Sequence, residues 1–227
     1  MKTYDFAYGR GRKEFSIDES LVIKEVRTEE FTPMSDIKQG VLDAIYNPIG
    51  CESIDKIIKP GDTVAFICND PTRVANSYDF MPVLVNEFNK LGVKDEDMHI
   101  VFSLGTHRDM THEEMVEAVG EEVSSRLKMY NSTATKDEDF EYFGTTSRGT
   151  PVWINKHLCH VDHVILTGTI VHHYFSGYGG GRKAILPGCA AMETVRVNHS
   201  FMLDKNAGLG RTVGNPCYED KSEAKRS

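Results

Sequence analysis

The stretch 167–188, TGTIVHHYFSGYGGGRKAILPG, carries two adjacent histidines, three consecutive glycines and the pair Arg182-Lys183. Glycines let a backbone approach a ligand closely or take positive φ. Imidazoles exchange protons near neutrality. Cations behind glycines describe a site for an anion. Two further loops offer matching chemistry. Asp70-Pro71-Thr72-Arg73 presents backbone amides, a hydroxyl and a guanidinium, and Gly105-Thr106-His107-Arg108 presents a general base or metal ligand. Each has a plainer reading: a turn with a surface ion pair, and an exposed loop histidine. His172 and His173 lie on extended chain, so their side chains diverge. One is expected in a cleft and the other beneath it. Little in 167–188 looks chosen for packing.

The glycine loop does not make a nucleoside triphosphatase. GYGGGRK lacks the GxxxxGK[ST] spacing, and Ala184 stands where Ser or Thr belongs. Lys183 beside Arg182 is suited to a lowered pKa, hence to a nucleophile or covalent anchor; a solvated basic pair is the alternative. His199 lies on an expected helix, where a satisfied core histidine is the plainer reading. His107, His173 and His199 share no local spacing such as HxxxH that would mark a zinc site. His112, His157, His160 and His163 read as surface or strand-flanking residues.

The elements that must position these residues follow from periodicity. TVAFIC at 63–68, HIVFSL at 99–104 and HVIL at 163–166 are continuous apolar runs, as expected of strands buried on both faces. A polar loop and a helix follow each: to about Leu91, from the near capping box Thr111-His112-Glu113-Glu114, and over 190–203. The first of these helices is expected to turn Phe80, Leu84, Val85 and Phe88 inward. Strand, loop, helix, three times over, predicts an α/β fold with a mostly parallel sheet flanked by helices. Ligands in such sheets bind beyond the carboxyl ends of the strands, so the three loops should converge. Also expected are strands at 3–8 and 14–17 around a Gly-Arg-Gly-Arg turn, and a third at 21–27. A helix capped at Ser35-Asp36, a short strand at 128–131 and a hairpin of 140–143 with 151–154 complete the reading.

The 227 residues suffice for one sizeable domain, and 40% apolar content supplies a core. A net charge of −8 spread along the chain argues against nucleic-acid partners. No apolar run approaches membrane-spanning length, and the N-terminus has no signal-peptide core. Five cysteines without a CxxC pair fit reduced thiols in a cytoplasm.

DPTR, GTHR, HHYFSGYGGGRKAILPG (172–188), Asn198-His199 and the GNP…ED run at 214–220 together resemble the nickel-dependent lactate racemase family, from about residue 60 onward. The resemblance implies a two-domain α/β enzyme that interconverts enantiomers of a 2-hydroxy acid. It implies a nickel pincer nucleotide (a pyridinium-3,5-bisthiocarboxylic acid mononucleotide), made by dedicated biosynthetic enzymes. It makes Lys183 the attachment point, His199 the nickel ligand, His107 and His173 the acid/base pair, and Asp70, Pro71, Thr72 and Arg73 the cofactor-contacting loop. On this reading residues 1–227 are the N-terminal cofactor-binding domain, cut inside a family motif, and inactive alone. The alternatives are a non-catalytic domain that binds a small anion or nucleotide, and a histidine-metal hydrolase.

Overall fold

The computed structural model describes residues 1–27, 29 and 32–224, which form two compact units, 1–35 and 36–227. The first unit is an antiparallel hairpin of β1 (Lys2–Tyr8) and β2 (Gly11–Ile17), with Tyr8 paired to Gly11 across the turn. Tyr4, Phe6 and Phe15 stack on one face, with the Phe6 and Phe15 ring centroids 5.2 Å apart. The third strand expected at 21–27 does not form. Leu21 closes a 3-10 turn capped by Asp18, and the backbone beyond it joins no ladder. Leu21, Ile23 and Val26 are exposed there. The segment meets the hairpin through side chains instead, with the Glu25 carboxylate accepting from Lys2 Nζ and from Tyr4 Oη (2.8 Å).

The second unit begins with α1 (Ile37–Tyr46), where the Asp36 carboxylate accepts from the Gln39 amide, and a single turn, α2 (Ile54–Ile57). β3 (Val64–Asn69), α3 (Ser77–Lys90) and β4 (Met98–Gly105) follow. Next come α4 (His112–Val119), α5 (Glu121–Ser124) and β5 (Lys128–Thr133). The hairpin of β6 (Phe140–Thr145) and β7 (Pro151–Asn155) leads to β8 (His163–Leu166). The chain continues through β9 (His172–His173), β10 (Ser176–Tyr178), α6 (Met192–Ser200), β11 (Gly208–Leu209) and α7 (Pro216–Ala224).

The main sheet runs β5-β4-β3-β8, with every neighbour parallel. Its central strand explains the continuous apolar run. Val64, Phe66 and Cys68 pack on one face with α3 and α4, while Ala65 and Ile67 pack on the other. Both faces are dry, so neither set alternates with polar residues. Met81, Leu84, Val85 and Phe88 are the buried stripe of α3, with Phe80 at its margin. Thr111 and Glu114 complete a reciprocal capping box. The second face is covered by residues the sequence did not mark as core. Ala184 and Leu186, from the stretch expected to be free of packing duty, and Cys189 just after it are buried against Ile67, Val101 and Val152. The stretch thus has two roles: its glycines open toward the cleft while its apolar tail anchors it under the sheet.

Candidate active site

The loops after β3, β4 and β8 meet beyond the carboxyl ends of their strands, as the parallel arrangement requires. They and the β9–β10 turn enclose a cleft of about 710 Å³. Asp70, Thr72, Arg73, His107, His173, Lys183 and His199 all line it. Pro71 does not; it is exposed at the turn and shapes the loop rather than facing the cleft. His172 and His173 were expected to divide between cleft and interior. Both line the cleft, because they sit at the rim of a small sheet, β11-β10-β9, with open space on the His172 side.

One wall is built by the parallel strands. Asp70 is buried, and its Oδ1 accepts from the Thr72 amide (2.7 Å) and the Thr72 hydroxyl. Its Oδ2 lies 3.1 Å from His107 Nδ1, while the His107 ring stays exposed. An acceptor-only carboxylate at that distance orients the ring and fixes its proton on Nδ1. The His107 loop is pinned by backbone contact: the Gly105 amide donates to Gly188 O (2.9 Å), and Gly105 has φ +56°. A Cβ on Gly188 would sit 2.6 Å from Ser103 Cβ and 2.3 Å from Ala184 O. Only glycine lets the two segments close to this spacing.

The other wall is cationic and drier. Lys183 is half-buried, and burial, reinforced by Arg73 and opposed by Asp70, brings its pKa down to about 8. His173 is pushed down to about 4, first by burial and then by Lys183, Lys221, His199 and Arg73. His199 falls to about 4 through burial, Lys221 and Lys183. The Val195 carbonyl one turn back pulls slightly the other way, yet His199 Nδ1 makes no hydrogen bond of normal geometry and is buried without a partner. The Phe175 ring packs edge-on to both histidines, 4.6 Å from His173 and 5.2 Å from His199.

Sequence reasoning missed the residues that support this wall. Lys221 lies in a charged stretch of sequence but is 1% exposed. Its Nζ donates to Ser176 Oγ (2.6 Å), and burial with Lys183 nearby lowers its pKa to about 7. Its neighbour Asp220 is wholly buried and accepts from Thr146 Oγ1 (2.6 Å), Thr150 Oγ1 (2.9 Å) and Asn198 Nδ2 (2.7 Å). Asn215 Nδ2 donates to Phe175 O (2.9 Å). Asn198 and the 214–220 run therefore tie α6, α7 and the β9–β10 turn together. The advance signal was the family pattern, which includes Asn198 and the GNP…ED run but gave them no role. Arg182 turns away from the cleft and lies 3.2 Å over the Tyr218 ring.

Among the described residues no group of three or more His, Cys, Asp or Glu is placed to hold a metal ion, and no helix is long and apolar enough to cross a membrane. The nitrogen donors that line the cleft are the imidazoles of His107, His172, His173 and His199 and the amine of Lys183. Residues 8–210 match the lactate racemase N-terminal domain family. The chain is 30% identical over 192 residues to lactate racemase of Lactiplantibacillus plantarum, covering 84% of this chain and 45% of that protein. It is 28% identical over 224 residues to lactate racemase of Thermoanaerobacterium thermosaccharolyticum, covering 97% and 52%. The fold matches the lactate racemase apoprotein of the latter organism with a TM-score of 0.83 at 26% identity, over 99% of this chain and 53% of that one. A protein of Thermotoga maritima, 23% identical, shares the fold with a TM-score of 0.67, over 84% of this chain and 46% of that one. The chain spans about half the length of the curated relatives it matches. It belongs to the lactate racemase N-terminal domain family.

Proposed function

We propose that this chain is the cofactor-holding and acid–base domain of a racemase acting on a small 2-hydroxy acid, with a second domain completing the site. The observation that carries the reading is the convergence of Lys183, His199, His107 and His173 on one cleft. The donor set fits a lysine-linked nickel pincer nucleotide. Lys183 offers an amine that is partly neutral near pH 8, as bond formation to a cofactor requires. His199 offers one imidazole with an orphaned ring nitrogen, which suits a metal whose other ligands come with the cofactor. When bound, the group supplies an acceptor for the substrate's α-hydride.

The rest falls to this chain's side chains. Inverting a 2-hydroxy acid needs a proton acceptor and a proton donor on opposite faces of a planar keto intermediate. His107, oriented by Asp70, takes the hydroxyl proton on one face, and His173 serves the other. Arg73, exposed at the cleft, pairs with the substrate carboxylate. The histidine-metal hydrolase reading loses ground because no three-residue ligand set is placed in the cleft among the described residues. A binding-only module is not favoured by the family match.

The test is chiral chromatography of lactate incubated with cofactor-loaded protein, extended by the remaining half of a curated relative. Racemisation is expected, falling about 10²–10⁴-fold in His107→Ala and in His173→Ala. An unchanged enantiomer ratio with the loaded, extended protein overturns the reading.

A further inference from the structure

The two cleft histidines are bonded in opposite senses. His107 Nδ1 faces a carboxylate oxygen, which can only accept. His173 Nδ1 instead receives the backbone N–H of Ser176 at 3.2 Å, and a backbone N–H can only donate. His107 therefore carries its proton on Nδ1 and leaves Nε2 free to accept. His173 carries its proton on Nε2, with its second nitrogen occupied as an acceptor.

The Ser176 amide is firmly placed. Ser176 is 1% exposed and pairs with Gly208 in the small sheet, and its hydroxyl takes the Lys221 Nζ bond. The next residue, Gly177, pairs with His173 and sits at φ +74°. A Cβ there would come within 2.4 Å of Arg211 O, so this turn has little room to rearrange. Edge-on contact with Phe175 holds the His173 ring from the side. The charged and titratable groups that bear on the ring are Lys183, Lys221, His199 and Arg73, and none of them is a carboxylate.

We infer that the Ser176 amide, braced by Lys221, is a tautomer lock on His173, so that the two histidines enter the reaction in different states. His107 is ready to accept a proton at once. His173 can become an imidazolium only by placing a proton on Nδ1, where it would meet the Ser176 N–H head-on. Protonating His173 therefore breaks the Ser176 bond, and its turn as acid or base is tied to movement of the 174–176 turn. Ser176 and Lys221 are positioning residues in this account. Low proton affinity at His173 agrees with it.

The inference rests on the racemase reading for its consequence but not for its test. The test is heteronuclear NMR on the ¹⁵N-labelled chain, free of metal and cofactor. Expected are a scalar coupling across the hydrogen bond from the Ser176 amide nitrogen to His173 Nδ1, a protonated Nε2 on His173, and the opposite tautomer on His107. In Lys221→Met the coupling should weaken while the His107 tautomer stays unchanged. A His173 ring protonated on Nδ1 at neutral pH, with no coupling to Ser176, overturns the lock. Because no turnover is measured, these outcomes decide the lock whether or not the loaded protein racemises lactate.

Discussion

The two walls of the cleft present the same residue type in opposite electrical settings. His107 is exposed, paired with a carboxylate and carried on a loop after a parallel strand. His173 is half-buried, bears on cations and the His199 ring but on no carboxylate, and is carried on a three-stranded appendage braced by α7. Burial beside Lys183 and Lys221 makes the second ring hard to charge. Two groups of one chemistry are thus set in different surroundings, one wet beside a carboxylate and one dry beside cations.

The largest expected effect comes from dismantling the brace behind the dry wall. Asp220→Ala leaves Thr146, Thr150 and Asn198 without their shared acceptor inside the core. A loss of about 3 kcal/mol is expected in urea unfolding, since stranded buried partners forfeit their desolvation cost. A loss under about 1 kcal/mol would mean that α7 does not brace this wall.

Next is the chemistry of the amine. An ordinary lysine is almost fully charged at pH 8, whereas Lys183 is about half neutral there. Its labelling by a small amine reagent should exceed that of exposed lysines by about 100-fold per accessible amine, rising with pH through about 8. Lys221, although it titrates lower still, should stay unlabelled because it is buried. Equal labelling of Lys183 and surface lysines would remove the electrostatic contrast between the walls.

A smaller effect appears in stability against pH. His173 takes up its proton near pH 4 in the folded chain and near 6.5 when unfolded. Between those values the unfolded chain binds more protons, so stability falls as pH drops from 6.5 toward 4 and is insensitive to this group above 6.5. Lys183 and Lys221 bind protons less readily when folded than their ordinary 10.5, so they make stability rise with pH above about 7 to 8. His173→Gln should reduce the acidic slope in thermal melts, leaving the share that His199 contributes.

The smallest effect is at the wet wall. Asp70→Asn keeps an oxygen for the Thr72 bonds but removes the charge facing His107. About 0.5–1 kcal/mol of stability is expected to go, since the partner ring is exposed to water. The clearer readout is NMR of His107, which should lose its single tautomer.

The wet wall and its sheet were legible in the sequence because short-range pattern determines them. Apolar runs at 63–68, 99–104 and 163–166 mark doubly buried strands, and parallel strands place DPTR and GTHR at one edge. The dry wall was only half legible. Lys183, His173 and His199 stood out by type and by family pattern, but what surrounds them is assembled from distant segments. Lys221 lies in a run of charges, and nothing local tells that its Nζ meets Ser176, 45 residues earlier. Leu186 was hidden by its glycine-rich company. The strand expected at 21–27 failed for the converse reason: local propensity was present, but its contacts to the hairpin run through side chains and not through a ladder.

The account's central claim is that this cleft holds a cofactor through Lys183. Its most direct test is peptide-resolved mass mapping of the chain co-expressed with the enzymes that make the nickel pincer nucleotide. The account predicts a mass addition confined to the peptide bearing Lys183 and absent from Lys183→Ala and Lys183→Arg. An addition at another residue, or one that survives Lys183→Ala, would contradict it.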